Sequence, residues 1–168
     1  MAATASRVLA SPTSMVILAL DLGQRTGWAL RQSSGAITSG SNEFRPGRFE
    51  GAGMAFLRFG RWLDEMHSFA PLEAIAFEEV RAHKGTLAAQ VYGGFVAHLT
   101  AWCERKAVPY LGVPVATVKR HATGKGNAPK EDVIAAMRAR GHTPQDDNEA
   151  DALAILDWAI SGNIGDRR

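Results

Sequence analysis

Three carboxylate side chains in this sequence adjoin strongly apolar segments. Asp21 and Glu78 each follow an apolar run, and Asp151 precedes the apolar segment 152–156. An ionised carboxylate in such surroundings costs free energy unless a metal ion, hydrogen bonds or a cation compensates its charge. If the three groups converge, they repel one another, and divalent cations bound between them relieve that repulsion. Because every such ligand is an oxygen, the pattern favours Mg²⁺ or Mn²⁺.

A fourth candidate lies in the acidic segment 146–151, which reads Asp-Asp-Asn-Glu-Ala-Asp. On a helix, Asp147 and Asp151 are four residues apart and share a face, and Asn148 and Asp151, three apart, do so as well. Acids in the first turn of a helix are also favoured by capping and by the helix dipole. Each acid taken alone therefore has a structural explanation, and only their convergence indicates chemistry.

The elements that must position Asp21 are strands. An apolar run over 15–20 and a second one after Gly27, with turn residues between them, predict a hairpin of two buried strands. Turn signals within 31–40 then predict a third strand that reaches about Phe44. Residues 45–53 are predicted to form a loop.

Glu78 and Asp151 belong to the part of the chain where helices follow strands. Glu78 ends a predicted strand, and if that strand runs parallel to the Asp21 strand, both carboxylates lie at one edge of the sheet. The pattern is that of an α/β chain with an antiparallel start and a parallel continuation. The predicted elements are a helix over 54–69, a strand over 72–80, a helix over 86–107, a strand over 108–113, a helix opened by Pro114, a helix from Pro129 to about Arg140 and a helix over 147–160.

Composition narrows the class of protein. The 168 residues predict a single domain over 15–163, preceded by a disordered extension at 1–14. A net charge of +2 excludes a polybasic nucleic-acid coat, and the single cysteine, Cys103, excludes both an internal disulfide and a cysteine zinc cluster. No apolar run approaches the roughly 20 residues that a membrane span needs, so the predicted location is the cytoplasm.

Four stretches of the sequence occur in a characteristic order. They are Asp21-Leu22-Gly23 with Thr26-Gly27-Trp28-Ala29, then Ala76-Phe77-Glu78-Glu79-Val80, then Val118-Lys119 continuing through Gly124-Lys125-Gly126-Asn127-Ala128-Pro129-Lys130, and finally Glu149-Ala150-Asp151-Ala152-Leu153-Ala154-Ile155. With these four stretches in this order, the chain resembles the RuvC family of Holliday-junction resolvases, which belongs to the RNase H-like superfamily. The resemblance is greatest to the phage or prophage branch of that family. The resemblance runs from about Met15 to Ile160.

The resemblance implies an RNase H-like fold, with a central mixed five-stranded sheet whose first three strands are antiparallel, flanked by helices. It also implies a site for two Mg²⁺ ions, with Mn²⁺ able to substitute, held by Asp21 as the bridging ligand, Glu78 and Asp151. The family's fourth ligand lies three residues before the last aspartate, where this chain has Asn148. We prefer the neighbouring carboxylate Asp147, with Asn148 as the alternative.

The activity that the resemblance implies is metal-dependent hydrolysis of DNA by a crossover junction endonuclease, with Lys130 neutralising charge on the phosphate. Such an enzyme resolves Holliday junctions and other branched DNA by paired symmetric nicks. Where bacterial resolvases carry a wedging aromatic, this chain has Arg81-Ala82-His83-Lys84. The predicted phosphate contacts are Arg81, Lys84, Lys119, Arg120, Lys125 and Lys130.

Paired cuts imply a homodimer, for which the helix over 86–107, with Val91, Phe95 and Leu99, is the candidate interface. Plain core packing is the other explanation of that apolar stripe. A need for a branch-migration motor stays open.

Three rival functions share part of this pattern. The first is an RNase H-like nuclease acting on RNA–DNA hybrids or flaps, with the same acids. The second is a non-catalytic DNA-binding relative, which the intact acids disfavour. The third is the actin and sugar-kinase ATPase fold, which also opens on Asp-x-Gly but requires two such domains and about twice this length.

Overall fold

The computed structural model describes residues 15–81 and 85–164, and within them one five-stranded sheet lies between two helical layers. The strands are β1 (Ile17–Asp21), β2 (Arg25–Arg31), β3 (Ile37–Glu43), β4 (Ala74–Glu79) and β5 (Tyr110–Pro114). The helices are α1 (Gly53–Phe69), α2 (Thr86–Lys106), α3 (Val115–Thr123), α4 (Lys130–Ala139) and α5 (Asp147–Trp158). Segment Ala159–Asn163 follows α5 and leaves helical geometry at Ser161 and Gly162. The predicted disordered extension at 1–14 lies outside the described residues.

The sheet has the strand order β3-β2-β1-β4-β5. Strand β1 pairs antiparallel with β2, and β2 pairs antiparallel with β3, whereas β4 runs parallel to both β1 and β5. The predicted mixed sheet with three antiparallel starting strands is therefore confirmed.

Strand β1 is buried on both faces, which explains its continuous apolar run. Leu18 and Leu20 pack with the core under α1 and α2, and Ile17 and Ala19 pack with the opposite core under α3, α4 and α5. Cys103 is buried in the first of these cores, and burial raises the pKa of its thiol to about 12. In the described ranges, no helix combines the length and the apolarity that a membrane crossing requires.

Two strand boundaries differ from the predicted ones because neighbouring backbone groups bond elsewhere. The Leu72 N–H donates to His67 Nδ1 at 3.1 Å and closes the end of α1, so β4 begins only at Ala74. The Val108 N–H donates to the Cys103 carbonyl at 3.0 Å, which keeps that residue in the cap of α2 rather than in β5.

The predicted interface on α2 is wrong for two of its three residues. Phe95 and Leu99 are fully buried within this single chain, so they belong to its core and cannot form a contact with a second copy. Helix α1 approaches α2 closely at Gly94, where an added Cβ would lie 2.4 Å from the Phe56 ring. Gly94 therefore allows α1 and α2 to pack closely.

Candidate active site

The carboxyl-terminal ends of β1 and β4 meet at one edge of the sheet, as predicted. Leu20 is aligned with Phe77 in the parallel pairing, so Asp21 and Glu78 occupy the next positions side by side. Leu20 and Phe77 face the core under α1 and α2. Because successive residues of a strand point to opposite faces, Asp21 and Glu78 face the layer that contains α5.

Helix α5 brings Asp151 to this edge because a glycine lets its first turn approach the sheet. Gly27 is the β2 residue aligned with Asp21. An added Cβ at Gly27 would lie 1.9 Å from the carbonyl oxygen of Asn148, a distance that no side chain can occupy. The Thr26-Gly27 pair of the sequence pattern therefore determines how closely α5 and its carboxylates approach Asp21.

Hydrogen bonds to β2 and β3 fix the start of α5. Asp146 caps the helix by accepting from the Glu149 N–H at 2.8 Å, and it also accepts from the Ser41 hydroxyl at 2.8 Å and from Arg25 at 2.7 Å. Burial tends to raise the pKa of Asp146, but these three donors together lower it. The buried Glu149 accepts from the Ser39 hydroxyl at 2.7 Å.

The three candidate acids share an unfavourable electrostatic environment. Burial, followed by repulsion from Glu78 and Asp151, raises the pKa of Asp21 well above its ordinary range. Burial and repulsion from Asp151 raise the pKa of Glu78 to about 7, and burial raises that of Asp151 to about 6. In the described part of the chain, no hydrogen-bond donor contacts any of these three carboxylates. When these groups ionise, a bound cation can offset the charge that burial and mutual repulsion disfavour.

Two lysines lie close enough to the acids to lower the pKa of both Glu78 and Asp151. The Lys119 ammonium donates to the Ala128 carbonyl at 2.7 Å, which fixes its position between α3 and α4. The Lys130 ammonium, at the first residue of α4, contacts the Asp147 carboxylate. This hydrogen bond lowers the pKa of Asp147 and raises that of Lys130.

A divalent cation suits the chemistry of this donor set, since the three acids supply only oxygen ligands and accept no hydrogen bond from the described residues. Across residues 15–81 and 85–164, however, no three His, Cys, Asp or Glu side chains are arranged to hold a metal ion. The fit to a metal ion therefore rests on the chemistry of the acids, whose burial disfavours their ionised forms and whose ligand atoms are all oxygen.

Of the remaining predicted DNA contacts, the structure describes Arg81, Arg120 and Lys125. Arg81 follows β4 and pairs with Glu79 at 3.1 Å, with most of its side chain exposed. Arg120 on α3 and Lys125 in the following loop are exposed. Lys84 lies outside the described residues. The structure thus places Lys119 and Lys130 beside the acids, and their role toward DNA stays a prediction.

Sequence reasoning missed the residues that support the acids. The Tyr92 hydroxyl donates to the Glu78 carbonyl at 2.7 Å and accepts from the Val80 N–H at 3.0 Å, so it holds the end of β4. No local sequence pattern predicts this contact between Tyr92 and the end of β4. Ser39 and Ser41 alternate along β3 and therefore share a face, a signal that could have identified the contacts to α5.

The sequence matches neither a protein-family model nor a curated protein. Solved structures do resemble the fold. One is Thermus thermophilus RuvC in complex with Holliday junction substrate, with a TM-score of 0.74 and 24% identity over 88% of this chain and 96% of the other. A second Thermus thermophilus RuvC structure has a TM-score of 0.67 and 26% identity over 88% and 92% of the two chains.

A third similar structure is the yeast mitochondrial Holliday junction resolvase Ydc2, with a TM-score of 0.62 and 11% identity over 88% of this chain and 78% of the other. These similarities confirm the predicted RNase H-like fold and the RuvC-like character of the chain. The predicted resemblance to the phage or prophage branch stays a prediction.

Proposed function

We propose that this protein is a divalent-metal-dependent endonuclease that resolves four-way DNA junctions and other branched DNA by paired symmetric nicks. The observation that carries the proposal is the meeting of Asp21, Glu78 and Asp151 at one sheet edge. The pKa values of all three are raised, and no hydrogen-bond donor among the described residues contacts their carboxylates. The similarity to a RuvC structure with a Holliday junction substrate supports the choice of substrate.

The proposed metal ligands are Asp21, Glu78, Asp151 and Asp147, with Asn148 as the alternative to Asp147. Two bound Mg²⁺ ions, or Mn²⁺ in their place, supply activation of water for attack on phosphorus and stabilisation of the leaving 3′-oxygen. Tyr92 positions Glu78 by bonding to the backbone on both sides of Glu79.

The lysines act on the phosphate. Lys119 is held in place by the Ala128 carbonyl, so it presents a fixed positive charge near Glu78 and Asp151. Lys130 forms an ion pair with Asp147, but its side chain is largely exposed. An incoming phosphate can therefore compete with Asp147 for the Lys130 ammonium. A positive charge placed where negative charge develops on phosphorus stabilises the transition state.

DNA binds through its phosphates in this proposal, with the lysines beside the acids at the centre. Arg81, Arg120 and Lys125 are further proposed phosphate contacts, and the sequence adds Lys84. Each phosphate contact releases counterions, so the affinity falls steeply as the salt concentration rises.

Two symmetric cuts require two active sites related by a twofold axis, so we propose that the protein acts as a homodimer. With Phe95 and Leu99 in the core, the accessible remainder of the predicted interface is the amino-terminal end of α2. Leu87 is 73% exposed there, and Val91 is half-buried beside it.

The decisive experiment compares wild-type protein with Asp21→Asn on a panel of substrates: a four-way junction, a flap, a fork, a linear duplex and an RNA–DNA hybrid. Wild-type protein with Mg²⁺ is expected to nick the junction in symmetric pairs, whereas Asp21→Asn binds the junction but leaves it uncut. Undiminished cutting by Asp21→Asn would refute the metal-site assignment. Preferred cutting of the hybrid would instead favour an RNase H-like activity.

A further inference from the structure

A sharp turn between β3 and α1 presents an exposed aromatic ring and a cation together. Phe49 is 95% exposed, and the guanidinium carbon of Arg48 lies 5.6 Å from the centre of its ring. Both residues occupy the two central positions of the turn Gly47–Glu50, which the Glu50 N–H closes by donating to the Gly47 carbonyl at 3.0 Å.

The turn is held by more than its own backbone. The Glu50 carboxylate accepts from the Gly47 N–H at 2.6 Å and from Arg58 at 2.6 Å, and Arg58 also donates to the Arg45 carbonyl at 3.2 Å. The Gly47 N–H, followed by Arg58, lowers the pKa of Glu50. Four hydrogen bonds thus hold a turn whose tip is exposed to solvent. Because the turn is already ordered, less conformational entropy is lost when its tip binds a partner.

The connection that carries the tip leaves the sheet at the same edge as the acids. Strand β3 ends beside the start of β2, with Glu43 aligned with Arg25. The Phe44 N–H then donates to the carbonyl of Gln24, in the loop that follows Asp21, at 2.6 Å. The connection that leads to Phe49 therefore starts next to the Asp21 loop.

We propose that Arg48 and Phe49 form a stacking subsite for an unpaired or unstacked nucleobase of branched DNA. A phenyl ring stacks on the face of any base, and an adjacent arginine contributes both a cation and a planar partner. Charge complementarity favours a nucleic acid over an apolar protein partner, because the segment and the first turns of α1 carry more arginines than acids. These are Arg45, Arg48, Arg58 and Arg61 against Glu43 and Glu50.

This inference rests on the proposed function, because it assigns a contact to the same DNA. Bases at a branch point have lost a stacking neighbour, so they can be turned toward a protein ring at a smaller cost than bases within a duplex. The subsite would anchor the strand near the branch while the lysines hold the phosphate at the acids.

The test uses a four-way junction with 2-aminopurine at the branch point, in chelator, so that binding is read without cleavage. Phe49→Ala is expected to weaken junction binding between about 5-fold and about 150-fold and to abolish the change in 2-aminopurine fluorescence seen with wild-type protein. Phe49→Trp is expected to keep both, since indole also stacks.

Phe69→Ala is the matched control. Phe69 is also exposed, at 71%, but it ends α1, roughly 25 Å along the helix from the Phe49 turn. Phe69→Ala should therefore leave both the junction affinity and the 2-aminopurine fluorescence change at wild-type values. Arg48→Ala removes a cation and a planar group beside the bound base, so it should weaken binding and reduce the salt dependence of binding. Arg105→Ala, in the last turn of α2, should change neither.

The outcomes separate this inference from the function on which it rests. If wild-type protein binds and cuts the junction but Phe49→Ala behaves like Phe69→Ala, the stacking subsite is refuted and the nuclease proposal stands. If wild-type protein does not bind the junction at all, the proposed function fails first. An unchanged fluorescence signal with Phe49→Ala would overturn the subsite even if its affinity fell.

Discussion

Lys130 and Asp147 form an ion pair that joins the first residue of α4 to the first residue of α5 beside the acidic edge. The pair occupies the carboxylate that we assign as fourth metal ligand. Asp147 therefore has two uses in the proposed enzyme, one as partner of Lys130 and one as ligand, and a phosphate that binds Lys130 frees it for the second.

The first prediction concerns the choice between Asp147 and Asn148. Asp147→Asn is expected to lower Mg²⁺-dependent cleavage by more than about 100-fold, because loss of a direct ligand exceeds the 10- to 100-fold effect of an outer partner. Asn148→Ala is expected to lower it by less than about 10-fold. Single-turnover cleavage of a four-way junction measures both, and the reverse order would assign the ligand to Asn148.

The second prediction is that divalent cations stabilise the folded protein. Cations that bind only the folded state raise its stability by about 2.7 kcal/mol at 100 times their dissociation constant, which corresponds to a shift of roughly 5–10 °C in thermal midpoint for a chain of this size. Differential scanning calorimetry with saturating Mg²⁺ should show that shift for wild-type protein, and chelator should remove it.

Asp21→Asn supplies the control for this measurement. The variant lacks the proposed bridging ligand, so its midpoint should respond to Mg²⁺ no more than to NaCl at equal ionic strength. A full Mg²⁺ shift in Asp21→Asn would place the stabilising ion elsewhere in the molecule.

The third prediction concerns the pH dependence of stability in the metal-free protein. The pKa of Glu78 rises from 4.5 to about 7 on folding, so the folded state holds this proton more tightly than the unfolded chain. The resulting stabilisation is complete below about pH 4.5 and is lost as the pH rises through 7. Glu78→Gln stays neutral throughout, so it should gain stability relative to wild type between pH 5 and pH 8, by on the order of 2 kcal/mol.

Urea denaturation in chelator at pH 5 and pH 8 measures this difference. Glu131→Gln changes an exposed acid on α4 and is the matched control, whose difference from wild type should vary little with pH. A Glu78→Gln difference that is independent of pH would contradict the raised pKa.

The sequence was sufficient to predict the sheet edge that carries the acids. The apolar runs before Asp21 and Glu78 are continuous because both faces of β1 and β4 are buried, and that same burial requires helices on both sides. Gly27 was part of the recognisable pattern. The structure explains why a glycine is needed there, because a Cβ at this position would lie only 1.9 Å from the carbonyl oxygen of Asn148.

What the sequence could not predict depends on contacts between distant residues. The apolar stripe of α2 indicates a buried face, but helical spacing does not tell whether α1 or a second copy covers it, and Phe95 proves to be covered by this chain. The hydrogen bonds from Ser39 to Glu149 and from Lys130 to Asp147 likewise form only once β3, α4 and α5 are in place.

The last prediction tests whether the approach of α5 to β2 controls the site. Gly27→Ala forces the first turn of α5 away, because the carbonyl of Asn148 is backbone and cannot rotate aside as a side chain would. Overpacking of this kind lowers the free energy of unfolding by about 3 kcal/mol. It also moves Asp151 from Asp21, so the folded variant should bind Mg²⁺ more weakly.

Gly93→Ala is the matched control, since Gly93 lies in helix α2 and a Cβ there has no neighbour within 4 Å. Alanine in a helix interior should raise the unfolding free energy by about 0.5–1 kcal/mol and leave Mg²⁺ binding unchanged. Chemical denaturation measures stability, and Mg²⁺ titration below the melting temperature measures the site. If Gly27→Ala lost stability yet bound Mg²⁺ like wild type, the prediction would be wrong. The approach of α5 to β2 would then matter for stability but not for Mg²⁺ binding.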